Sequence, residues 1–294
     1  MCPLDLVKLA ALMERTSGSP EIKIGLIDGP VAVGHADLAS DHVLEITGTT
    51  HATCTKANST ACLHGTFVAG ILSAKRNSPA PAICPNCTLL LRPIFTETIS
   101  GSEQIPSATP LELATAIVDC VDAGAKVINL SLALARPSTR GENALQAALD
   151  RAMNFGVIVV AAAGNQGTLG SSAIIRHPWV IPVAACDLSG RPMNGSNLGS
   201  SIGRRGLRSP GDRITSLASE GRSLTFGGTS VAVPFVTGTI ALLWSEFPTA
   251  TASQIKLAVT CAMTPRRASV VPPLLDAAAA YEVLSAANAM RRAA

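Results

Sequence analysis

This chain of 294 residues has few aromatic side chains, few charges and no long apolar run. Phe, Trp and Tyr make up only 3% of it, so a buried core must consist mainly of Ala, Val, Leu and Ile. The net charge of +3 is spread without a basic stripe, which excludes a typical nucleic-acid-binding surface. No apolar run approaches the roughly 18 residues that span a membrane. The longest run, residues 156–163, predicts a buried strand.

The N-terminus also lacks the layout of a secretory signal. Asp5 and Lys8 interrupt the apolar stretch of residues 1–15, and no small-residue cleavage site follows it. We therefore expect a cytoplasmic protein, or a secreted one if a signal and a prosegment have been removed. Residues 1–20 predict an N-terminal helix that precedes the first strand.

The chain has eight cysteines, and three of them lie in apolar segments where cysteine behaves as a small buried hydrophobe: Cys120, Cys186 and Cys261. Cys54 and Cys62 flank one loop, and Cys84 and Cys87 form a CxxC pair. Two short disulfides (Cys54–Cys62 and Cys84–Cys87), free thiols and a zinc site all fit these four residues. Disulfides agree poorly with a reducing cytosol, so the sequence leaves the state of these thiols open.

Strand-like and helix-like segments alternate along the chain. Continuous apolar or β-branched runs predict buried strands at 22–27, 88–94, 127–132, 157–162 and 180–184, with further short strands within 187–227. Amphipathic or apolar segments predict helices at 4–13, 65–74, 111–123, 142–154, 229–244, 253–260 and 277–287. This alternation predicts an α/β fold with a mostly parallel sheet between two helical layers. We expect one domain over 1–294, with a helical tail at 265–294.

Polar residues lie at the ends of three predicted strands, namely Asp28, Ser131 and Asn165. Functional groups of parallel sheets gather at the carboxyl ends of the strands. The sequence therefore predicts a site where these three ends meet.

Four short stretches carry residue types that suit hydrolysis: I-D-G at 27–29, H-G-T-F-V-A-G at 64–70, A-G-N-Q-G at 163–167 and G-T-S-V-A-V-P at 228–234. In order and separation they resemble the subtilase family of subtilisin-like serine peptidases, over nearly the whole chain. The resemblance implies a three-layer α/β/α fold. It also implies that Asp28, His64 and Ser230 form a catalytic triad, with Asn165 as the oxyanion donor.

The chemistry of these residue types agrees with the resemblance. A serine hydroxyl is a poor nucleophile without an adjacent base, and His64 would take the proton of Ser230. Asp28 would fix the tautomer of the imidazole, and the Asn165 side-chain amide would bind the developing oxyanion. Each stretch alone predicts only a turn or a helix cap, so it is the set of four that indicates a site.

The sequence departs from the family pattern beside the triad. Gly29 and Pro30 follow Asp28, where most subtilases carry Ser or Thr, so a backbone N–H or a water must complete the bonding of the carboxylate. The D-G-P-V sequence at 28–31 resembles the subtilases that cut precursor peptides in cyanobactin and related pathways. Phe67 and Val231 replace the usual second His and the usual Met after the nucleophile.

The substrate-binding edge differs as well. Ser131, Leu132 and Ala133 lie where family members present a Ser-Leu-Gly-Gly strand that pairs with the peptide. Ala133 and Leu134 stand where the family has the two glycines, and their side chains predict narrowed subsites and restricted specificity. The resemblance also gives one wall of the primary pocket to three small residues: Ala162, Ala163 and Gly164. Arg176 either reaches the floor of that pocket, which would favour an acidic residue before the cleaved bond, or lies exposed on a loop.

The family's calcium site is not matched. The loop at 75–82 has no carboxylate and contains two prolines, whereas calcium needs several oxygen ligands. Asp37 corresponds to a family ligand but stands largely alone. We therefore expect no metal and no cofactor. Secreted family members carry a folding prosegment, and because only residues 1–20 precede the first strand we expect no pro-domain here.

Three functions fit these observations. The principal hypothesis is a monomeric serine endopeptidase of restricted specificity, acting on a peptide or protein such as a precursor peptide. The alternatives are a general degradative subtilase and an inactive subtilase-like peptide-binding module. A macrocyclase fits less well, because the 36 positions from Asp28 to His64 leave little room for a lid insertion.

Overall fold

Seven parallel strands form the central sheet of the protein. The computed structural model describes residues 2–46, 53–97, 108–132, 141–261 and 269–293. The strands of the sheet are β1 (Lys23–Ile27), β2 (Val43–Glu45), β3 (Thr88–Leu91), β4 (Val127–Leu130), β5 (Ile158–Ala162), β6 (Ile181–Cys186) and β7 (Leu207–Pro210). Their spatial order is β2-β3-β1-β4-β5-β6-β7, and each neighbouring pair is parallel. A separate antiparallel hairpin comprises β8 (Ile214–Leu217) and β9 (Ser223–Phe226).

Helices cover both faces of this sheet. The helices are α1 (Pro3–Leu6), α2 (Ala10–Arg15), α3 (Thr60–Ser73), α4 (Pro110–Asp122), α5 (Glu142–Asn154), α6 (Ala173–Arg176), α7 (Ser200–Arg205), α8 (Thr229–Glu246), α9 (Ala252–Cys261) and α10 (Ala277–Ala293), with a 3₁₀ turn at Ser40–His42. Alternate residues of β5 face opposite cores: Ile158 and Val160 pack with α3 and α8, and Val159 packs with α4 and α5. Burial on both faces explains the continuous apolar runs of the strands. The predicted three-layer α/β/α class is confirmed.

The start of α3 and the single helix predicted at 4–13 differ from the structure, and α10 extends to Ala293 rather than to residue 287. α3 begins at Thr60 rather than at residue 65, because the hydroxyl of Ser59 caps it by accepting the N–H of Cys62 at 3.1 Å. His64 therefore lies inside the helix and not at its start. The predicted helix at 4–13 is divided into α1 and α2 near Lys8, whose φ is +51°. None of the helices in the described part of the chain combines the length and apolarity that a membrane crossing requires.

The N-terminal helices pack against the C-terminal helix. Lys8 Nζ lies 2.6 Å from Asp276 Oδ2, and the N–H of Ala277 donates to the carbonyl of Val7 at 3.0 Å. The guanidinium of Arg15 lies 4.6 Å from the centre of the Tyr281 ring. Residues from both ends of the described chain thus share the core that contains α8.

The cysteines adopt two states. Cys54 and Cys62 form a disulfide, whereas Cys84 and Cys87 are buried free thiols, so the second candidate disulfide is not formed. The hydrogen bond that Cys84 shares with Cys87, together with burial, raises the pKa of Cys84 and keeps its thiol protonated. The Cys87 sulfur also lies 3.9 Å from the hydroxyl of Ser245.

The three cysteines predicted to be buried do not all behave alike. Cys120 and Cys186 are buried, and burial raises the pKa of Cys186 to about 12. Cys261 was predicted to be a buried hydrophobe, and this was wrong: it ends α9 and is exposed. Burial and a raised pKa therefore protect Cys120 and Cys186 from reagents, while Cys261 is exposed to them.

Candidate active site

Asp28 and His64 meet at the carboxyl end of β1. Asp28 follows the last residue of the strand and is fully buried. Its Oδ1 lies 2.7 Å from Nδ1 of His64 and also accepts the N–H of Gly29 at 2.7 Å. A backbone N–H thus takes the place of the hydroxyl that most subtilases supply. Oδ2 of Asp28 is buried and has no hydrogen-bond partner among the residues that the structure describes.

Asp28 determines the protonation of His64. Burial disfavours the imidazolium, but the charge and the hydrogen bond of Asp28 outweigh it, so the pKa of His64 is raised. The His64 side chain remains 27% exposed, so one edge of the ring is accessible. Because Nδ1 is bonded to Asp28, Nε2 is the nitrogen available for proton transfer.

Two glycines allow α3 to approach the end of β1. A Cβ on Gly29 would lie 2.1 Å from the carbonyl oxygen of Ala61. A Cβ on Gly65 would lie 2.4 Å from the carbonyl oxygens of Gly29 and Pro30. Real Cβ atoms essentially never come closer than 3.0 Å to such atoms. The glycine that departs from the family pattern at position 29 is therefore required by the packing that brings His64 to Asp28.

Asn165 is oriented by the residue that precedes Ser230. The backbone N–H and the hydroxyl of Thr229 both lie within hydrogen-bond distance of Asn165 Oδ1, at 2.9 and 3.0 Å. A backbone N–H can only donate, so the atom that it contacts must be the amide oxygen, and Nδ2 points elsewhere. The Thr229 hydroxyl also accepts the N–H of Gly164 at 3.2 Å. Asn165 is exposed, and its side-chain amide lies beside Gly228, two residues before Ser230.

Ser230 lies in the first turn of α8, after a glycine that keeps the site open. Gly228 has a φ of +128°, which disfavours any other residue. A Cβ there would lie 3.1 Å from Asn165 Nδ2 and would crowd the amide. Ser230 is half-buried and lies at the N-terminus of α8, the positive end of the helix dipole.

A buried chain of hydrogen bonds supports the backbone of Ser230. The hydroxyl of Ser131 donates to the Ser230 carbonyl at 2.7 Å and accepts from Asn129 Nδ2 at 2.8 Å. The Thr237 hydroxyl donates to Asn129 Oδ1 at 2.9 Å. This chain links β4 to α8, and Asn129 and Thr237 are both fully buried. Sequence reasoning missed these two, although an Asn inside an apolar strand was an available signal.

The predicted substrate-binding residues that the structure describes are mostly buried. The Ser131 side chain is occupied beneath Ser230, so a contact with substrate through its backbone stays a prediction. Leu132, Ala162 and Ala163 expose 8%, 3% and 6% of their surface. Gly164 is buried too, so the pocket wall assigned to these residues stays a prediction. Ala133 and Leu134 lie outside the described residues.

Arg176 lies at the end of α6 and is paired. Its guanidinium is 3.5 Å from Glu142 Oε2, it donates to the carbonyl of Ser171 at 3.3 Å, and its side chain is 55% exposed. The charge of Arg176 is thus already matched by a carboxylate. This pairing favours the exposed-loop alternative over a cation on a pocket floor.

The loop at 75–82, which was expected to lack calcium, is braced by an arginine. The guanidinium of Arg76 donates to three backbone carbonyls, those of Met13, Thr16 (2.8 Å) and Ile83 (3.2 Å). The carbonyl oxygens beside this loop are therefore bound by the Arg76 guanidinium. In the described part of the chain, the one group with metal-ligand geometry comprises Cys54, Cys62 and Glu97. Its two sulfurs are already joined in the disulfide.

Comparison with known sequences identifies related proteins. The model of the subtilase family matches residues 19–273. Subtilisin DY from Bacillus licheniformis is 31% identical over 258 residues, which are 86% of this chain and 87% of that protein. The thermostable alkaline protease of Halalkalibacterium halodurans is 33% identical over 194 residues, 66% of this chain and 50% of that protein. The chain thus spans about half the length of this second relative.

Comparison with solved structures gives the same architecture. A mutant of the protease domain of PatA has a TM-score of 0.83 and 27% identity, covering 92% of this chain and 97% of that one. The prenylagaramide maturation protease PagA has a TM-score of 0.79 and 28% identity, covering 94% and 98%. The PatG macrocyclase domain, at 22% identity and a TM-score of 0.80 over 94% and 95%, shares the fold.

Proposed function

Because this chain belongs to the subtilase family, and is thus a serine endopeptidase, we propose that it processes a precursor peptide through an acyl-enzyme. In this proposal Ser230 is the nucleophile, His64 the general base and Asp28 its partner. Asn165 supplies the oxyanion donor. The observation that carries the catalytic assignment is the 2.7 Å contact between His64 Nδ1 and the buried carboxylate of Asp28.

Acylation begins when the Ser230 hydroxyl attacks the carbonyl carbon of the scissile peptide bond. His64, neutral and bonded to Asp28 through Nδ1, takes the hydroxyl proton at Nε2. The Asp28 carboxylate stabilises the imidazolium that results. The proton then passes to the leaving amine, the C–N bond breaks, and the acyl group remains as an ester on Ser230.

The negative charge that develops on the substrate oxygen needs a fixed donor. Thr229 holds the oxygen of the Asn165 side chain, which leaves Nδ2 to donate. Because the donor is oriented before the reaction, the enzyme need not reorganise as charge develops. Loss of one such donor costs about 10²–10³ in kcat, a range taken from subtilisin, itself a member of this family.

Deacylation repeats the same steps with water as the nucleophile. His64 takes a proton from water, which attacks the ester carbon, and the tetrahedral intermediate again places its negative oxygen at Asn165. The intermediate collapses, and His64 returns its proton to the oxygen of Ser230. The products are a free carboxylate and a regenerated enzyme.

The choice of a precursor peptide rests on a sequence feature and on the relatives. The D-G-P-V sequence at 28–31 resembles that of precursor-processing subtilases. PagA is described as a maturation protease, and it and the PatA protease domain match nearly the whole of this chain at 28% and 27% identity. Both observations favour a narrow substrate range over general degradation.

A covalent probe tests the catalytic assignment. We expect the intact mass of the wild-type protein to rise by one fluorophosphonate adduct and that of Ser230→Ala to stay unchanged. Ser253→Ala, which removes an exposed serine from α9, is the matched control and should still be labelled. An adduct on folded Ser230→Ala would overturn the assignment of the nucleophile. No adduct on the folded wild type would favour the peptide-binding module.

A library of diverse peptides tests the substrate. Cleavage at a few positions that share one sequence supports a processing enzyme, whereas cleavage at many unrelated positions identifies a degradative subtilase. The masses of the products also separate hydrolysis from cyclisation. A macrocycle is lighter than the linear product by one water, and its formation would overturn the hydrolytic proposal.

A further inference from the structure

We propose that Asn197 is a positioning residue for catalysis, because its side chain holds the loop at 163–168 in the shape that aims the Asn165 amide. This inference rests on the proposed role of Asn165 as the oxyanion donor. Asn197 belongs to none of the four sequence stretches that indicate the site. It follows β6, in the segment that leads to α7.

The Asn197 amide contacts the loop on both sides of Asn165. Its Oδ1 accepts the backbone N–H groups of Gln166 and Thr168, both at 3.1 Å, and the Thr168 hydroxyl at 3.1 Å. Its Nδ2 donates to the Ala163 carbonyl at 3.1 Å and to Gln166 Oε1 at 2.6 Å. One side chain therefore ties the residues before and after Asn165 to a single point.

Only an uncharged amide can make both sets of contacts. The loop presents N–H donors on one side and carbonyl acceptors on the other, and a neutral side-chain amide offers one acceptor oxygen and two donor hydrogens. Aspartate has no donor, and an aliphatic side chain has neither. The side chain at position 197 must therefore supply both an acceptor and donors, and a side chain of similar volume without them would not replace it.

Gly164 makes room for this amide. A Cβ at position 164 would lie 2.4 Å from Asn197 Nδ2, and the φ of Gly164 is +104°. The Gly164 carbonyl in turn accepts the backbone N–H of Asn197 at 2.9 Å. Gly164 is therefore needed for two reasons: its positive φ, and the space that the Asn197 amide occupies.

The segment that carries Asn197 is anchored to the sheet. The Ser196 hydroxyl accepts the N–H of Ala185, a residue of β6, at 2.8 Å. The Gly195 carbonyl accepts the N–H of Gly167 at 2.8 Å, and Leu198 donates to Thr168 at 3.0 Å. The exposed loop is thus tied to a buried strand in two ways, by backbone hydrogen bonds from the neighbours of Asn197 and by the Asn197 amide, and only the amide contacts the residues directly before and after Asn165.

The loop depends on this anchor because residues 165–170 are exposed and have little packing of their own. Thr229 fixes the oxygen of the Asn165 side chain, and Asn197 fixes the backbone that carries that side chain. Without the Asn197 amide, the Gln166 N–H and the Ala163 carbonyl lose this partner, so the backbone around Asn165 can shift although Gly195 and Leu198 still hold the far part of the loop. A misplacement of about 1 Å in a catalytic site can cost about 10²-fold in rate.

The first test compares Asn197→Ala with Asn194→Ala. We expect Asn197→Ala to lower kcat about 10-fold or more with little change in KM, because the oxyanion forms only in the transition state. Asn194→Ala removes an exposed amide from the same segment and should leave kcat unchanged. An unchanged kcat in folded Asn197→Ala, with Asn165→Ala impaired, overturns the inference and leaves the proposed function intact.

The second test asks whether Asn197 acts through Asn165. Asn165→Ala/Asn197→Ala should have the kcat of Asn165→Ala alone, since a loop without its donor has nothing left to aim. Multiplied losses in the double variant would overturn the inference. If Asn165→Ala itself keeps full kcat, the proposed oxyanion role fails, and the inference fails with it.

A loss of stability is separated from a loss of positioning by melting temperature. If Asn197→Ala does not fold at the assay temperature, Asn197→Ser provides the second variant, since its short side chain cannot reach both sides of the loop. The same drop in kcat, with the melting temperature above the assay temperature, supports positioning. A folded Asn197→Ser with the wild-type kcat overturns it.

Discussion

The imidazole of His64 lies 2.7 Å from the buried carboxylate of Asp28, and no other charged side chain in the described structure contacts that ring. The same carboxylate oxygen accepts the Gly29 N–H. Burial is the largest single effect and lowers the pKa of His64, but the charge and the hydrogen bond of Asp28 together outweigh it, so this one carboxylate raises the pKa of the imidazole.

The first prediction concerns pH. Activity requires neutral His64, so kcat/KM should fall as the pH decreases through a pKa that lies above the ordinary value of about 6.5. Asp28→Asn removes both contributions that raise this pKa and leaves the opposing burial, so the acid limb should move to lower pH. We expect kcat to drop about 10⁴-fold, as in other triads. Asp41→Asn, an exposed aspartate, is the control. An unmoved acid limb in Asp28→Asn would contradict this account.

The second prediction concerns Gly29. Restoring the family's hydroxyl with Gly29→Ser should lower the melting temperature and the activity, because the new Cβ meets the Ala61 carbonyl at 2.1 Å. Overpacking of this kind costs about 1–3 kcal/mol. Gly34→Ser is the matched control, since no atom lies within 4 Å of a Cβ built there. Equal stability of the two variants would show that α3 can move away from β1 without cost.

The third prediction concerns the disulfide. Cys62 lies two residues before His64, and the backbone N–H of Cys54 donates to the Val31 carbonyl at 3.1 Å, so the bridge ties α3 to the segment that follows Asp28. Reduction, or Cys54→Ser/Cys62→Ser, should lower the free energy of unfolding by about 2–3 kcal/mol. Urea unfolding measures this, and Cys2→Ser, at an exposed free thiol, is the control.

The segment between Cys54 and Cys62 is also held by Glu97, and this second set of contacts should limit the effect of reduction on activity. The Glu97 carboxylate accepts the N–H groups of Thr55 and Lys56, both at 2.9 Å, and the Ser59 hydroxyl at 3.3 Å. Burial opposes ionisation, but hydrogen bonds led by that of the Thr55 hydroxyl prevail and lower the pKa of Glu97. Reduced protein should therefore keep part of its kcat at neutral pH. A complete loss in folded, reduced protein would show that the disulfide alone places His64.

The fourth prediction concerns metal and Arg76. EDTA should leave the melting temperature unchanged, because the loop at 75–82 offers no carboxylate and Arg76 already donates to three carbonyls around it. Arg76→Ala should lower the melting temperature, since the partly buried carbonyls of Met13 and Ile83 then lose this donor. Arg222→Ala, at an exposed arginine, is the control. A large drop with EDTA would contradict the absence of a stabilising ion.

The sequence predicted the parts of the fold that local patterns determine. Apolar runs gave the strands of the sheet core, and the alternation with helices gave its parallel layers. The start of α3 was placed too late, because the cap at Ser59 is itself held by Glu97, far along the chain. Asn129 and Asn197 were missed for the same reason. The partner of Asn129 on α8, Thr237, and the loop that Asn197 contacts are both distant in sequence. Asn129 carried one local signal, a polar residue inside an apolar strand, whereas nothing local distinguishes Asn197 from any other Asn in a loop.

The placement of α8 has a consequence for biosynthesis. This helix contacts β1, β4, β5, β6 and β7 and carries Ser230, whereas Asp28 and His64 lie in the first quarter of the chain. A ribosome delivers the chain from its N-terminus, so the nucleophile is absent until residue 230 has emerged, and the sheet lacks its complete central helix until residue 246 has emerged. A partly translated copy therefore holds a base without a nucleophile. The order of synthesis therefore makes the docking of α8 the step that brings Ser230 to a sheet end where Asp28 and His64 are already present.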